Sequence, residues 1–253
     1  MKPHFICIGV QKGGTSSLIN YLNFHPEIYM PEKEIHFFDS FKELTNDFIE
    51  KYENFFKTNK LIIGEKTPSY CYLRYAIDNI YNYDKNIKLI IILREPISRA
   101  YSNFNQGKQI GKFSEINLDE DILKFFAKQE NDKLTDRGNN FTKSHIVRGY
   151  YDEILEYILS KFPRNNIYIG ISEEINKNKL KYYNEIYEFL GANKLKEIQN
   201  LNTRVGKYKK IIPKNLEKYL YNIYKPHNEK LYKILGRKID IWENYYIQLK
   251  SEF

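Results

Sequence analysis

The sequence predicts an α/β fold, a central parallel sheet flanked by helices, and three observations carry that expectation. Short apolar runs recur at about 4–10, 61–65, 87–93 and 167–171, each of strand length and too short for a helix. Helix-forming stretches separate them, and strands that alternate with helices build parallel sheets. The run Lys88 to Leu93 (KLIIIL) is almost continuously apolar, as a strand covered on both faces must be.

The first strand, Phe5-Ile6-Cys7-Ile8, feeds the segment GVQKGGTSSL, Gly9 to Leu18. Thr15, Ser16 and Ser17 mark the start of a helix over about 16–23. A Gly-rich turn between strand and helix aims successive N–H groups and the positive end of a helix dipole at one point, which makes an anion site. Lys12 adds a cation inside the turn, and phosphate or sulfate suits such a place. Gly9 and Gly14 have the separation of a nucleotide triphosphatase loop, but Thr15 follows Gly14 where that loop carries lysine. A metal-dependent triphosphate clamp is therefore incompletely specified, and an apolar strand before Gly-Gly also suits a tight turn with no ligand.

Next come a loop with Glu34 to Asp39 (EIHFFD), a polar helical stretch near 41–57, the strand at 61–65 and a helix near 73–82. The strand at 87–93 ends in Arg94, and Pro96 supplies the first-turn residue of a helix that carries Ser102 and Asn103. A cation at the carboxyl end of a central strand points into the crevice where open α/β sheets bind ligands. The alternative is an Arg94–Glu95 surface pair capping a loop. After Gly111 the chain is polar and helical, over 118–129 and about 143–161. The strand at 167–171 follows, then amphipathic helices over 178–190 and 214–235. No repeat or linker interrupts the 253 residues, so a single domain over 1–253 is expected. The 23 tyrosines are scattered, mainly on helix faces, as half-buried packing.

Hydrophobic residues make up 42% and charged residues 28%, a globular composition and not a disordered one. A formal net charge of +8 favours anionic partners: nucleotide cofactors, acidic glycans, nucleic acid or anionic lipid. No nucleic-acid-binding motif accompanies that charge, so nucleic acid is not expected as a partner. Cys7 and Cys71 read as free thiols, which suits a reducing compartment. No secretory segment precedes the first strand, and no run reaches the length of a membrane span, so a cytoplasmic location is expected. His4, His25, His145 and His227 lack metal-ligand spacing, and no metal is expected.

Taken together, these segments resemble a known family. GVQKGGTSSL resembles the 5′-phosphosulfate loop of sulfotransferases that use 3′-phosphoadenosine 5′-phosphosulfate (PAPS). LIIILREPISRAYSNF is similar to their 3′-phosphate motif, an Arg and a Ser eight positions apart, here Arg94 and Ser102. EIHFFD and Glu65 to Tyr70 (EKTPSY) resemble the heparan sulfate sulfotransferases, above all the 3-O branch. Likeness continues through Arg148-Gly149-Tyr150-Tyr151 and a tail helix with His227-Asn228 and Trp242. The Golgi relatives' late disulfide has no counterpart here.

The resemblance implies a P-loop-like sulfotransferase fold and in-line transfer of a sulfuryl group from PAPS to a hydroxyl or amino group, leaving 3′-phosphoadenosine 5′-phosphate (PAP). A carbohydrate is the leading acceptor. By the same likeness Glu34 is the general base, while His36 and Asp39 orient it or contact substrate. Lys12 stabilises charge on the leaving phosphate, and Gly13, Gly14, Thr15 and Ser16 donate through backbone and hydroxyl. Arg94 and Ser102 hold the 3′-phosphate, and Lys66 lies beside acceptor or cofactor. Phe37 and Phe38 wall the pocket and raise the carboxylate pKa by desolvation. In Asn202 to Lys210 (NTRVGKYKK), Lys207, Lys209 or Lys210 reaches the 3′-phosphate and Tyr208 stacks on adenine.

Spacing alone leaves plainer readings open. EIHFFD can be a loop that packs two rings on the core with Glu34 solvated. Lys66 can pair with Glu65 or end a strand in water, and the basic turn at 202–210 can be a solvated surface. The functional alternatives are sulfation of a lipid, secondary metabolite or carrier-bound hydroxyl, a P-loop kinase, and a non-catalytic protein for nucleic acid or another anionic polymer.

Overall fold

The computed structural model describes residues 1–40, 45–112, 121–129, 144–201 and 211–251. The chain divides into two compact units, Met1–Leu93 with Tyr157–Arg204, and Arg94–Glu156 with Val205–Phe253. In chain order the elements are β1 (Phe5–Gly9), α1 (Thr15–Phe24), β2 (Ile28–Tyr29), α2 (Asn46–Glu53), β3 (Ile62–Lys66), α3 (Arg74–Tyr83), β4 (Lys88–Leu93) and α4 (Pro96–Gln109). There follow α5 (Ile122–Ala127), α6 (Tyr151–Lys161), β5 (Ile167–Ile171), α7 (Ser172–Lys177), α8 (Lys179–Leu190), α9 (Lys214–Leu235) and α10 (Asp240–Ser251). Single 3-10 turns cover Tyr70–Tyr72, Val147–Gly149 and Arg164–Asn166.

The first unit holds the sheet, with strand order β2-β3-β1-β4-β5 and every pairing parallel. All five residues of β1 are buried, as are the five after Lys88 in β4, which is why both read as unbroken apolar runs. One face packs Phe5, Cys7, Ile90 and Ile92 against Leu18, Tyr21 and Leu22 of α1 and Tyr183, Ile186 and Tyr187 of α8. The rings of Tyr21 and Tyr183 stack there at 4.3 Å. The chain winds from β1 out to β2 and β3 on one side, then crosses to β4 and β5 on the other. That reversal makes the carboxyl ends of β1 and β4 the switch point, where open parallel sheets bind ligands.

The second unit is helical. Glu95 is buried at the start of α4, and its carboxylate accepts the N–H groups of Ile97 (2.9 Å) and Ser98 (2.7 Å) and the hydroxyl of Tyr246 (2.8 Å). Burial raises its pKa against the pull of those bonds. The surface pair Arg94–Glu95 is therefore replaced by a helix cap. Trp242 is fully buried on α10, a helix separate from α9, so the expected tail helix is two helices.

Strands β1, β3, β4 and β5 lie within a residue or two of their expected bounds, and α9 matches 214–235. The helix expected from about 143 begins at Tyr151, after the turn at Val147–Gly149. Strand β2 and helix α7 were not foreseen. The first is two residues long and exists through its pairing with β3, and the second spans only six. Many tyrosines are half-buried as expected, among them Tyr29, Tyr81, Tyr157 and Tyr168, but others go deeper: Tyr52, Tyr70, Tyr187 and Tyr224 are at most 1% exposed, and their hydroxyls are hydrogen-bonded. A phenol can enter a core when its O–H finds an acceptor there.

Candidate active site

The turn leaving β1 is fixed by its own backbone. Val10 N–H donates to the carbonyl of Ile92 on β4 (3.1 Å), Gly13 N–H donates to Val10 (3.0 Å), and Gln11 N–H donates to the hydroxyl of Tyr72 (2.8 Å). A side chain at Gly13 would put its Cβ 2.3 Å from the Ile92 carbonyl oxygen, so only glycine allows this approach. Lys12 has φ 69° and Gly14 φ 94°, both left-handed. Gly14 then serves as a helix cap with no side chain to offer, and Ser17 and Leu18 N–H return to its carbonyl. The N–H groups of Thr15 and Ser16 precede the first acceptor inside the helix and point outward from its end. With Lys12 half-buried in the same turn, the arrangement has the makings of an anion cradle. Because Gly13 spends its N–H on Val10, it shapes the cradle by lacking a side chain and does not donate as expected.

The EIHFFD loop is held by side chains. Lys66 ends β3 in register with Cys7, and its ammonium lies 2.8 Å from Glu34 Oε1 with the lysine side chain only 6% exposed. Successive side chains of a strand point to opposite faces, so Lys66 pairs with Glu34 and not with its neighbour Glu65. The other carboxylate oxygen of Glu34 is 3.2 Å from His36 Nε2. His36 Nδ1 is 2.9 Å from Asp39 Oδ2, which also accepts the hydroxyl of Ser69 at 2.6 Å. Burial works against a charge on the His36 ring, but the hydrogen bonds and charges of Asp39 and Glu34 outweigh it and raise the pKa. The ring thus favours the form in which both nitrogens donate, one to each carboxylate. Glu34, 37% exposed, is the open end of the chain.

Phe37 and Phe38 do not wall a pocket at Glu34. They turn into the core, where Phe37 stacks on Tyr52 at 4.5 Å and Phe38 meets Tyr52 and Tyr70 edge-on at 4.9 and 5.6 Å. The carboxyl lifted by this burial is Glu65, pushed up to about 7 by desolvation against the hydrogen bonds of Thr67, Tyr70 and Tyr52. The plainer reading of EIHFFD was right about the rings, while Glu34 is paired as well as open to water.

Four residues of this arrangement were not singled out from the sequence: Thr67, Ser69, Tyr70 and Tyr72. Their signal was the density of hydroxyls directly after Lys66. The 3-10 turn Tyr70–Tyr72 serves both loops, Tyr70 accepting the N–H groups of Phe37 and Phe38 and Tyr72 accepting that of Gln11.

In the second unit Arg94 is half-buried, and its carbonyl accepts the hydroxyl of Tyr151 at 2.7 Å. Ser102 lies on α4 and is 2% exposed. Lys207, Tyr208, Lys209 and Lys210 fall outside the described residues. His25 bonds the carbonyl of Asn193 (2.8 Å), His4 accepts from Ile63 N–H (3.1 Å), and His227 meets Asp152 (2.8 Å) and stacks on Tyr150. Among the described residues no group of three His, Cys, Asp or Glu is placed to hold a metal, and no helix is long and apolar enough to cross a membrane. Cys7 and Cys71 are free and buried, and burial pushes the Cys7 thiol up to about 12.

Comparison with known proteins converges on one family. The fold superposes on a sulfotransferase from Alicyclobacillus acidocaldarius with TM-score 0.77 and 21% identity, covering 96% of this chain and 99% of that one. It also matches mouse sulfotransferase SULT7A1 complexed with PAP, at TM-score 0.52 and 15% identity over 88% and 82% of the two chains. In sequence, mouse heparan sulfate glucosamine 3-O-sulfotransferase 5 is 28% identical, covering 94% of this chain and 73% of the relative. The membrane-associated sulfotransferase kil1 of Dictyostelium discoideum is 26% identical, covering 96% and 67%. The sulfotransferase-domain model matches residues 2–238, from the strand before the cradle to the end of α9. An uncapped anion cradle on a doubly wound sheet and a lysine-backed carboxylate thus belong to an enzyme, and the chain is a member of the sulfotransferase family.

Proposed function

We propose that this sulfotransferase draws on PAPS and sulfates a hydroxyl group of a carbohydrate, with Glu34 as general base. The observation that carries the proposal is the Glu34 carboxylate, open on one side and held from behind by Lys66 and His36. PAPS supplies an activated sulfuryl group and departs as PAP. The cradle suits its phosphosulfate, since the uncapped N–H groups of Thr15 and Ser16 and the Lys12 cation match an oxyanion. Gly13 and Gly14 let the turn come close. Arg94 and Ser102 take the 3′-phosphate, a role their motif likeness supports.

Each oxygen of Glu34 has one partner and lone-pair capacity to spare, so the carboxylate can receive the acceptor's proton as that hydroxyl attacks. His36, clamped by Asp39, holds Glu34 in place, and Lys66 neutralises the charge around it. Developing charge on the leaving phosphate falls to Lys12. Positioning and electrostatics therefore do most of the work, as in phosphoryl transfer.

The names of the sequence relatives support a glycan acceptor, and the PAP complex of a protein with the same fold supports the donor. The family match runs through both compact units, which supports residues 1–253 acting as one catalytic domain. Two free, buried thiols support a cytoplasmic location. The test is mass spectrometry of glycans and small alcohols incubated with PAPS and enzyme. A sulfated sugar is expected. A sample that PAP stabilises against melting but that sulfates nothing in a broad panel would sink the assignment. Stabilisation by Mg-ATP in place of PAP would instead favour a kinase.

A further inference from the structure

Glu65 takes no part in the chemistry above, yet its carboxylate is completely buried and collects three hydroxyl donors. Tyr52 and Tyr70 donate to one oxygen, each at 3.1 Å, and Thr67 donates to the other at 2.9 Å. Two of these hydroxyls are acceptors as well. Tyr70 receives the N–H of Phe37 at 2.9 Å and of Phe38 at 3.3 Å, and Thr67 receives that of His36 at 3.3 Å. A hydroxyl has one proton to give. While it accepts from the loop backbone, that proton needs its own acceptor, and here the acceptor is Glu65. Three consecutive N–H groups of the loop thus terminate on one carboxylate through two relays.

From this geometry we propose that Glu65 is the positioning residue of the 34–39 loop: through Tyr70 and Thr67 it fixes the backbone from His36 to Phe38 and so aims Glu34 and His36. The proposal rests on the reading of Glu34 as base. His36 has φ 54°, a left-handed conformation that a side-chain-bearing residue keeps only where its surroundings impose it. The relays supply that imposition from below, and the His36–Asp39 contact supplies it from the side.

The arrangement needs Glu65 ionised. A carboxylate accepts from all three hydroxyls, whereas a carboxylic acid is itself a donor and turns one of them away. The groups facing it are Tyr52 from α2, Thr67 and Tyr70 after β3 and Asp39 from the loop, while Lys66, next in β3, lies on the opposite face with its register partner Cys7 of β1. Burial holds Glu65 near 7, so turnover should climb as pH rises through that value. Stability runs the other way. A carboxyl raised on folding contributes stability that is whole below its ordinary range and is lost as pH rises through about 7.

The test compares Glu65→Gln and Tyr70→Phe with the wild type. In Glu65→Gln one arm of the site changes from acceptor to donor, and in Tyr70→Phe the relay to Phe37 and Phe38 is gone. Expected at pH 8 is a roughly 10- to 100-fold fall in kcat in either variant, with the melting shift given by PAP unchanged. The step in kcat near pH 7 and the decline of melting temperature between about pH 5 and 7 should both vanish in Glu65→Gln. NMR of histidine-labelled protein should show the His36 titration moving down, because the ring has drifted from Asp39 and Glu34. Folded variants with unchanged kcat and unchanged His36 titration overturn the proposal. If the wild type sulfates nothing, a moved His36 titration still supports Glu65 as the anchor while the functional reading fails. Should Glu65→Gln not fold, Tyr70→Phe and Thr67→Val cut the relays singly and carry the same readouts.

Discussion

The turn over residues 10–14 and the loop over residues 34–39 lie at the carboxyl ends of two adjacent strands, β1 and β3, and are held by opposite means. Backbone bonds to Val10 and Ile92 and the missing side chain of Gly13 shape the turn. The loop depends on side chains from elsewhere, Lys66, Thr67, Ser69 and Tyr70. A site made of backbone is rigid and tolerates few substitutions, whereas one made of side-chain relays can be tuned and broken one atom at a time. Donor capture is expected to belong to the first and proton transfer to the second, so each can be damaged while the other is spared.

The sharpest separation should come from Glu34→Gln. The amide keeps the size and the bond to Lys66 but cannot take a proton, so kcat is expected to fall by about a hundredfold or more, with the PAP-induced melting shift intact. Unchanged turnover removes Glu34 from the role. The converse damage is Gly13→Ala, whose methyl group would stand 2.3 Å from the Ile92 carbonyl oxygen. Backbone cannot swing aside as a flexible side chain can, so destabilisation of roughly 2 kcal/mol or more and loss of PAP binding are expected. A stable Gly13→Ala that still binds PAP would show that the turn can reshape. Arg94→Ala, which removes one charge-assisted bond, should weaken PAP by roughly tenfold or more and leave kcat at saturating PAPS nearly unchanged. Equal affinity of calorimetrically measured PAP for variant and wild type would take the 3′-phosphate away from Arg94.

The same contrast explains what was legible in the chain. The cradle could be read because its cause is local: an apolar strand, glycines and hydroxyls follow one another without interruption from Phe5 to Ser17. The loop was legible as a motif, but its partners come from about thirty residues away. Strand alternation in β3 already separates Lys66 from Glu65, a signal the spacing held and a local ion-pair reading overlooked. The burial of Glu65 could not be read, since it depends on where Tyr52 of α2 and Tyr70 of the 3-10 turn bring their rings. Strand β2 was invisible for the same reason, because two residues become a strand only through a partner.

The smallest expected effect tests the comparison most closely, because it arises within one short turn. Tyr70 and Tyr72 are two residues apart, and each hydroxyl accepts a backbone N–H, Tyr70 from the loop and Tyr72 from Gln11 of the cradle. Tyr72→Phe removes a neutral hydrogen bond between a buried hydroxyl and the half-buried Gln11, about 1 kcal/mol, which corresponds to a roughly fivefold change in an equilibrium constant. It should appear in PAP affinity and leave kcat and the His36 titration alone. In Tyr70→Phe the pattern should reverse, with PAP affinity kept and turnover lost. Titrating both variants with PAP and measuring kcat at saturating PAPS decides it. If both hydroxyls shift affinity and turnover together, the two loops form one mechanical unit, and their division into donor capture and proton transfer fails.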